Sequence, residues 1–150
     1  MSSTIRITKQ FTFEAGHALY GYDGKCKNVH GHSYKLYVTV IGEPCIDADS
    51  QKNGMVIDFG DLKKIVNKEI VGVYDHAFLL NKNSGVNYGP DTHQMFSNTI
   101  YVNYQPTCEN MLIEIVNIMQ EHISSDVELS KVSLRETRTS YAEWYATDNQ

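Results

Sequence analysis

The stretch Cys26-Lys27-Asn28-Val29-His30-Gly31-His32 leads straight into an alternating run, Ser33–Ile41. Side chains two apart on a strand share one face, so the His30 and His32 imidazoles point the same way, and Gly31 between them lets backbone or ligand approach closely. Upstream, Ile5, Ile7, Phe11 and Phe13 alternate with Arg6, Thr8, Gln10 and Thr12, and the same face continues through Ala15 to His17. A hairpin of these two runs brings His17 opposite the other two histidines. Three neutral imidazoles with no fourth protein ligand describe a catalytic zinc site with an open position, which leaves the metal charge to polarise an oxygen of a substrate or water. Three surface or packed histidines that happen to cluster are the plain alternative.

Between the two runs, residues 18–29 carry Gly21, Asp23 and Gly24 and read as a loop. Cys26 lies in it between Lys25 and Lys27. Two flanking cations favour the thiolate, the reactive form. Catalysis, a fourth zinc ligand and an inert loop cysteine all remain open on spacing alone. Downstream, Met55–Phe59 leads into a helix with Asp58 as N-cap and Asp61 in its first turn, and Leu62, Ile65, Val66, Ile70 and Val73 recur at helical spacing. The dipeptide Asp75-His76 follows. A carboxylate beside an imidazole stabilises the imidazolium and can shuttle a proton, although adjacency in sequence does not prove contact. Residues 81–97, rich in Asn, Gly and Ser, read as a long surface loop, and Thr99–Tyr104 as a short strand. His93 and His122 are read as structural or exposed, and Cys45 is given no role.

A second helix starts at Pro106-Thr107-Cys108-Glu109-Asn110, with Thr107 as N-cap, Glu109 in the first turn and an apolar stripe of Met111, Leu112, Ile115, Val116 and Met119. Lys131–Thr137 alternates again, and Glu136 shares the face of Val132 and Leu134. A carboxylate continuing an apolar face is costly unless paired, so Glu136 awaits a cationic or amidine-like ligand edge, or is a strand-end residue that has reached solvent or pairs with a neighbour such as Arg138. Tyr141–Ala146 reads as a last strand.

The length of 150 residues suits a single domain, 1–150, with a sizeable core. Three cysteines, at 26, 45 and 108, form no disulfide framework, so a reducing, cytoplasmic setting is expected. The start, Met1-Ser2-Ser3-Thr4, has neither basic patch nor apolar run, so no signal peptide is expected, and no apolar stretch is long enough for a membrane span. A net charge of −5 argues against broad binding to nucleic-acid phosphates, while leaving room for a small anion on a few local Lys or Arg residues. The four main strands and two helices predict an α+β domain, a four-stranded antiparallel sheet with both helices on one face. Its two exposed edges and its polar face predict a homo-oligomer closing a barrel between subunits.

The motifs Phe11-Thr12-Phe13-Glu14-Ala15-Gly16-His17, Cys26 followed by His30-Gly31-His32, Ile57-Asp58-Phe59, Asp75-His76, Pro106–Asn110 and Glu136-Thr137 occur in one order. In this the protein resembles the 6-pyruvoyl- and 6-carboxy-tetrahydropterin synthase family, from about Ile5 to Tyr145. The resemblance implies the tunnelling fold, in which subunits assemble around a β-barrel, here as a hexamer built from trimers. It implies zinc on His17, His30 and His32, Cys26 as catalytic base with Asp75 and His76 as relay partners, and Glu136 gripping the pterin edge with Thr107 and Glu109 helping. The implied substrate is 7,8-dihydroneopterin triphosphate. Only three residues separate Cys26 from His30, which looks like the 6-carboxy-tetrahydropterin synthase of the queuosine pathway rather than the pyruvoyl type. The long segment 81–105 departs from some carboxy-type relatives. Outside the family, a zinc hydrolase would need neither Cys26 nor Glu136, and a non-catalytic zinc module would use Cys26 to close the site.

Overall fold

A computed structural model describes residues 3–150. The two alternating runs form the long antiparallel hairpin their pattern predicts, β1 (Ile5–His17) and β2 (His30–Gly42). In its register His17 stands opposite His30 and Ala15 opposite His32. Phe11, Phe13 and Ala15 of β1 and Tyr34, Leu36, Val38 and Val40 of β2 are buried on the face that carries the histidines. Gly16 and Gly31 pair beside them, and a Cβ on Gly31 would meet the Ala15 carbonyl at 3.1 Å. The close approach that Gly31 permits is therefore that of β1.

Asp58 caps α1 (Phe59–Val66), its Oδ1 accepting from the Gly60 N–H at 2.7 Å. The helix continues through a π turn, Asn67–Val71, into a last turn, α2 (Gly72–Tyr74). A π turn inserts an extra residue into the helical register. The buried stripe is accordingly Leu62, Val66, Ile70 and Tyr74, while Val73, expected to be buried, is 45% exposed.

The sheet corrects the expected four antiparallel strands. It has six, in the order β4-β3-β1-β2-β5-β6, and it is mixed. β3 (Ala77–Asn81) runs parallel to β1, and β4 (Thr99–Val102) parallel to β3. β3 shows no period of two because Ala77, Leu79, Leu80 and Asn81 are all buried; parallel strands covered on both faces read as continuous apolar runs. The parallel β3–β4 pair also sets the length of the segment between them. Parallel neighbours need a crossover of about a dozen residues or more, not a tight turn. Here the crossover holds short 3₁₀ turns at Lys82–Ser84 and Gln94–Phe96, a Tyr88–Phe96 ring stack at 4.9 Å, and a Tyr88 N–H donating to the Tyr101 hydroxyl at 2.9 Å.

α3 (Cys108–His122) is capped by Thr107, whose Oγ1 accepts from the Asn110 N–H at 3.3 Å, and its predicted stripe is buried. β5 (Glu128–Arg135) pairs with β2, and β6 (Tyr141–Tyr145) with β5. β5 ends one residue before Glu136, which therefore leaves the sheet at the rim. The helices cover one face, where Val132 and Leu134 complete the core. The other face carries Lys35, Tyr37, Ser133 and Arg135. No helix among the described residues is long and apolar enough to cross a membrane.

Candidate metal centre and active site

The three histidines meet where the β1–β2 hairpin reaches the N-terminus of α3. His17 is 2% exposed, and its Nδ1 lies 2.6 Å from the Pro106 carbonyl, just before the helix cap. The His30 Nδ1 lies 2.7 Å from the Asn28 carbonyl. Carbonyl oxygens only accept, so both rings donate Nδ1–H and leave Nε2 as a bare lone pair. These two Nε2 atoms stand 3.1 Å apart, and one ligating nitrogen from each of His17, His30 and His32 falls within 4.8 Å of the others. Two lone pairs at that distance repel unless a cation sits against both. Tetrahedral zinc with bonds of about 2.0–2.1 Å places its nitrogens roughly 3.3 Å apart, so the donor set fits a divalent ion. The carbonyls behind the rings are the outer partners that fix tautomer and orientation in such sites. Burial holds the imidazoles of His17 and His32 below the ordinary histidine value, against the opposing pull of the Glu136 carboxylate. The neutral, ligating forms are thereby favoured.

Glu136 closes this end of the sheet. Its Oε1 lies 3.7 Å from His17 Nε2 and 3.8 Å from His32 Nε2, and it accepts from the Tyr34 hydroxyl at 3.2 Å. Burial, reinforced by Glu136, pushes the Tyr34 hydroxyl far up, so it remains a donor. The carboxylate thus answers the cost of its apolar position by facing the triad and Tyr34, not Arg138. A cavity of about 300 Å³ opens beside it, walled by His17, Cys26, Thr107, Glu109 and Glu136, with Tyr22, Cys108 and Tyr141. Five predicted site residues from four separate parts of the sequence therefore share one wall. Cys26 sits half-buried in a 3₁₀ turn, Lys25–Lys27, which the Leu19 N–H ties down by donating to the Cys26 carbonyl at 2.9 Å. It lines the cavity next to the triad and is not one of the clustered ligand atoms.

The family model described as 6-pyruvoyl tetrahydropterin synthase matches residues 6–147. The chain belongs to the 6-pyruvoyl tetrahydropterin synthase family. A protein of Haemophilus influenzae named 6-carboxy-5,6,7,8-tetrahydropterin synthase is 38% identical over 144 residues, covering 93% of this chain and 98% of the relative. One of the same name from Rickettsia typhi is 31% identical, covering 93% and 99%. The solved structure of Caenorhabditis elegans 6-pyruvoyl tetrahydropterin synthase overlays with a TM-score of 0.66 at 25% identity, over 96% of each chain. That of the Plasmodium falciparum enzyme overlays at 0.69 and 22%, over 95% of this chain and 99% of the other, a likeness of fold.

Two of the residues that the family resemblance puts to catalysis lie elsewhere in this member of the tetrahydropterin synthase family. Asp75 and His76 touch, Oδ2 to Nδ1 at 3.1 Å. They are bound to Glu14 of β1: the Glu14 N–H donates to Asp75 Oδ1 at 2.8 Å, and the His76 N–H donates to the Glu14 carbonyl at 2.6 Å. That bond from the Glu14 amide, helped by His76, holds the Asp75 carboxyl below its ordinary range. His76 adopts φ 59°, a left-handed conformation uncommon for a residue with a side chain, and its side chain is 78% exposed. It lines a separate cavity of about 370 Å³ with Glu14, Gly16, Gly31, His32 and Ser33. Within one subunit the dyad and Cys26 therefore open into different cavities.

The residue pattern gave no notice of Tyr34, of the Pro106 and Asn28 carbonyls, or of Cys108. Tyr34 was within reach, since it lies two residues past His32 and so shares the metal face. The carbonyls carry no side-chain signal. Cys108 lies in the same cavity wall as Cys26, but its Sγ–H donates to the Leu134 carbonyl at 3.3 Å. Burial, then the Glu136 carboxylate, pushes its thiol up to about 12, so it stays protonated.

Proposed function

We propose that the protein converts 7,8-dihydroneopterin triphosphate to 6-carboxy-5,6,7,8-tetrahydropterin, acetaldehyde and triphosphate, with zinc on His17, His30 and His32, in queuosine biosynthesis. The observation that carries this reading is one cavity in which His17 of the triad, Cys26 and Glu136 share a wall. The names of the relatives that match nearly end to end support it. Glu136 faces the pterin edge, whose paired N–H groups meet two carboxylate oxygens, with Thr107 and Glu109 on the same wall. When bound, zinc supplies a Lewis acid that acidifies the C–H and O–H bonds of the substrate's hydroxylated arm. The Cys26 thiolate removes the proton from the arm carbon next to the ring. Reprotonation at the ring moves the unsaturation outward, and no nicotinamide is needed. Triphosphate leaves by elimination, and a water molecule then adds to the arm carbon next to the ring: its oxygen becomes part of the 6-carboxyl group as the carbon–carbon bond breaks, and the two-carbon fragment takes up a proton and leaves as acetaldehyde.

His76, held by Asp75, cycles protons. Because the dyad opens into a different cavity from Cys26, it serves the thiolate of a second copy, in a homo-oligomer that we take to be a hexamer of two trimers in the cytoplasm. The test is incubation of zinc-loaded protein with the triphosphate substrate and identification of the products by mass spectrometry. The expected products are 6-carboxy-tetrahydropterin and acetaldehyde. 6-Pyruvoyl-tetrahydropterin would keep the site and move the protein to the other branch of the family. No turnover with zinc intact would refute the assignment.

A further inference from the structure

On the face of the sheet away from the helices, Lys35 of β2 stands directly opposite Arg135 of β5. Like charges so placed destabilise a strand pair, yet this pair is built in rather than avoided. The Arg135 guanidinium packs over the Tyr141 ring at 4.6 Å and donates from Nη1 to the Arg138 carbonyl at 2.8 Å. That bond closes the turn after β5, in which the Glu136 and Thr137 N–H groups both donate to the Ser140 carbonyl. A third cation, Arg138, is thereby brought to the same cavity, which measures about 540 Å³ and which Tyr37 and Thr137 also line. Among the described residues none of these three cations has a carboxylate within ion-pair distance. The acidic groups nearby are committed elsewhere: Glu143 to Lys131 at 2.6 Å, Glu14 to the Ser33 hydroxyl at 2.7 Å, and Glu136 to Tyr34 and the histidines. In a protein of net charge −5 this is a local excess of positive charge, three cations with the Glu136 carboxylate on the same wall and Glu143 within the field of Arg135, in a cavity of ligand size.

We propose that this cavity is a binding site for an oligophosphate anion, held by Lys35, Arg135 and Arg138. A guanidinium fixed by a stacked ring and a carbonyl keeps its remaining N–H donors pre-organised for phosphate oxygens. The cavity adjoins the metal centre, since Glu136 lines both and His32 reaches its rim. Two sources share this chemistry: the triphosphate group of a substrate whose ring is held at Glu136, and free inorganic triphosphate. Only the first source rests on the function proposed above.

Calorimetric titration of the metal-loaded protein with inorganic triphosphate tests the site, with metal content measured after each run. Binding is expected at low salt, falling steeply as sodium chloride is added and weakening from triphosphate to monophosphate. Lys35→Gln with Arg135→Gln should lower the affinity by at least about tenfold, whereas Lys35→Arg, which keeps the charge and reports on folding, should retain it. No binding by the native protein, or equal binding by the Gln variants, overturns the proposal. The same variants titrated with 7,8-dihydroneopterin triphosphate and with unphosphorylated dihydroneopterin separate the sources. A loss confined to the phosphorylated ligand assigns the cavity to the substrate tail. A loss for inorganic triphosphate with both pterins unchanged assigns it to the free anion. Triphosphate binding in a protein that turns over no pterin would keep this site and discard the activity.

Discussion

Replacing Glu136 with Gln tests the substrate grip without touching a metal ligand. Glu136 offers two carboxylate oxygens beside a neutral triad, and one of them already accepts from Tyr34 at 3.2 Å. A pterin edge presents paired N–H donors, and each hydrogen bond to a charged acceptor contributes about 1.5–3 kcal/mol. Glutamine keeps one acceptor and sets an NH₂ donor against the second pterin donor. The variant should therefore lose roughly 3–4 kcal/mol of substrate interaction, or about 10²–10³-fold in kcat/KM, at about 1.4 kcal/mol per factor of ten. Its zinc content should be unchanged, because His17, His30 and His32 and the carbonyls behind them are untouched. Tyr34→Phe removes one neutral donor from the carboxylate and should cost about 1 kcal/mol, roughly fivefold. Steady-state kinetics with mass-spectrometric product quantification, alongside metal analysis, reads all three. A Glu136→Gln enzyme within about threefold of the native kcat/KM would refute the pterin-anchor role. Loss of zinc from that variant would show the carboxylate to be a ligand instead.

Cys26→Ala should lower turnover by about 10²–10⁴-fold and retain zinc, and iodoacetamide should alkylate Cys26 well before the protonated Cys108, as peptide mapping would show. Mixing inactive Cys26→Ala and His76→Ala subunits, then dissociating and reassembling them, should restore about a quarter of native activity if each site draws on two copies; no recovery would put both groups in one subunit. Stability of the metal-free protein, followed by urea denaturation, should be highest above about pH 6.5 and fall below it. His17 and His32 have folded values held below the unfolded value of 6.5, so the unfolded state takes up protons first as the pH drops. Leu62→Ala, at a fully buried position of α1, should cost about 2–5 kcal/mol in the same assay.

Much of the frame was legible because it rests on local rules. Alternation drew the β1–β2 hairpin and put three histidines on one face, and Asp58 and Thr107 marked both helix starts. What escaped notice depends on contacts distant in sequence. β3 lost its alternation to burial on both sides. The π turn moved Val73 outward and Tyr74 inward, because the extra residue is accommodated by the packing of the whole helix and not by any one side chain. The site was legible as a set of residue types; its partition between two cavities was not. The pairing of Asp75 with His76 could be read from their adjacency, but their tether to the backbone of Glu14 could not, since a main-chain partner leaves no trace in the identity of residue 14.

The end of β1 accounts for that partition. Successive side chains alternate across the sheet, so three residues of separation put Glu14 and His17 on opposite faces. His17 turns toward the helices, where Pro106 fixes its ring and Glu136 and Cys26 complete a wall. The backbone of Glu14 anchors Asp75 and His76 at the edge where β3 joins in parallel. A slip of one residue between β1 and β2 would move His17 away from His30 and turn the core residues Phe11 and Phe13 to the polar face, so burial of the core also fixes the metal site. The sheet that aligns three histidines to within ligand distance thus also separates the Cys26 thiol from His76. A His76 held at φ 59° and left largely exposed gains no packing in the isolated subunit. That strained, exposed ring is the group that the proposed function would bring to the Cys26 thiol of a second copy.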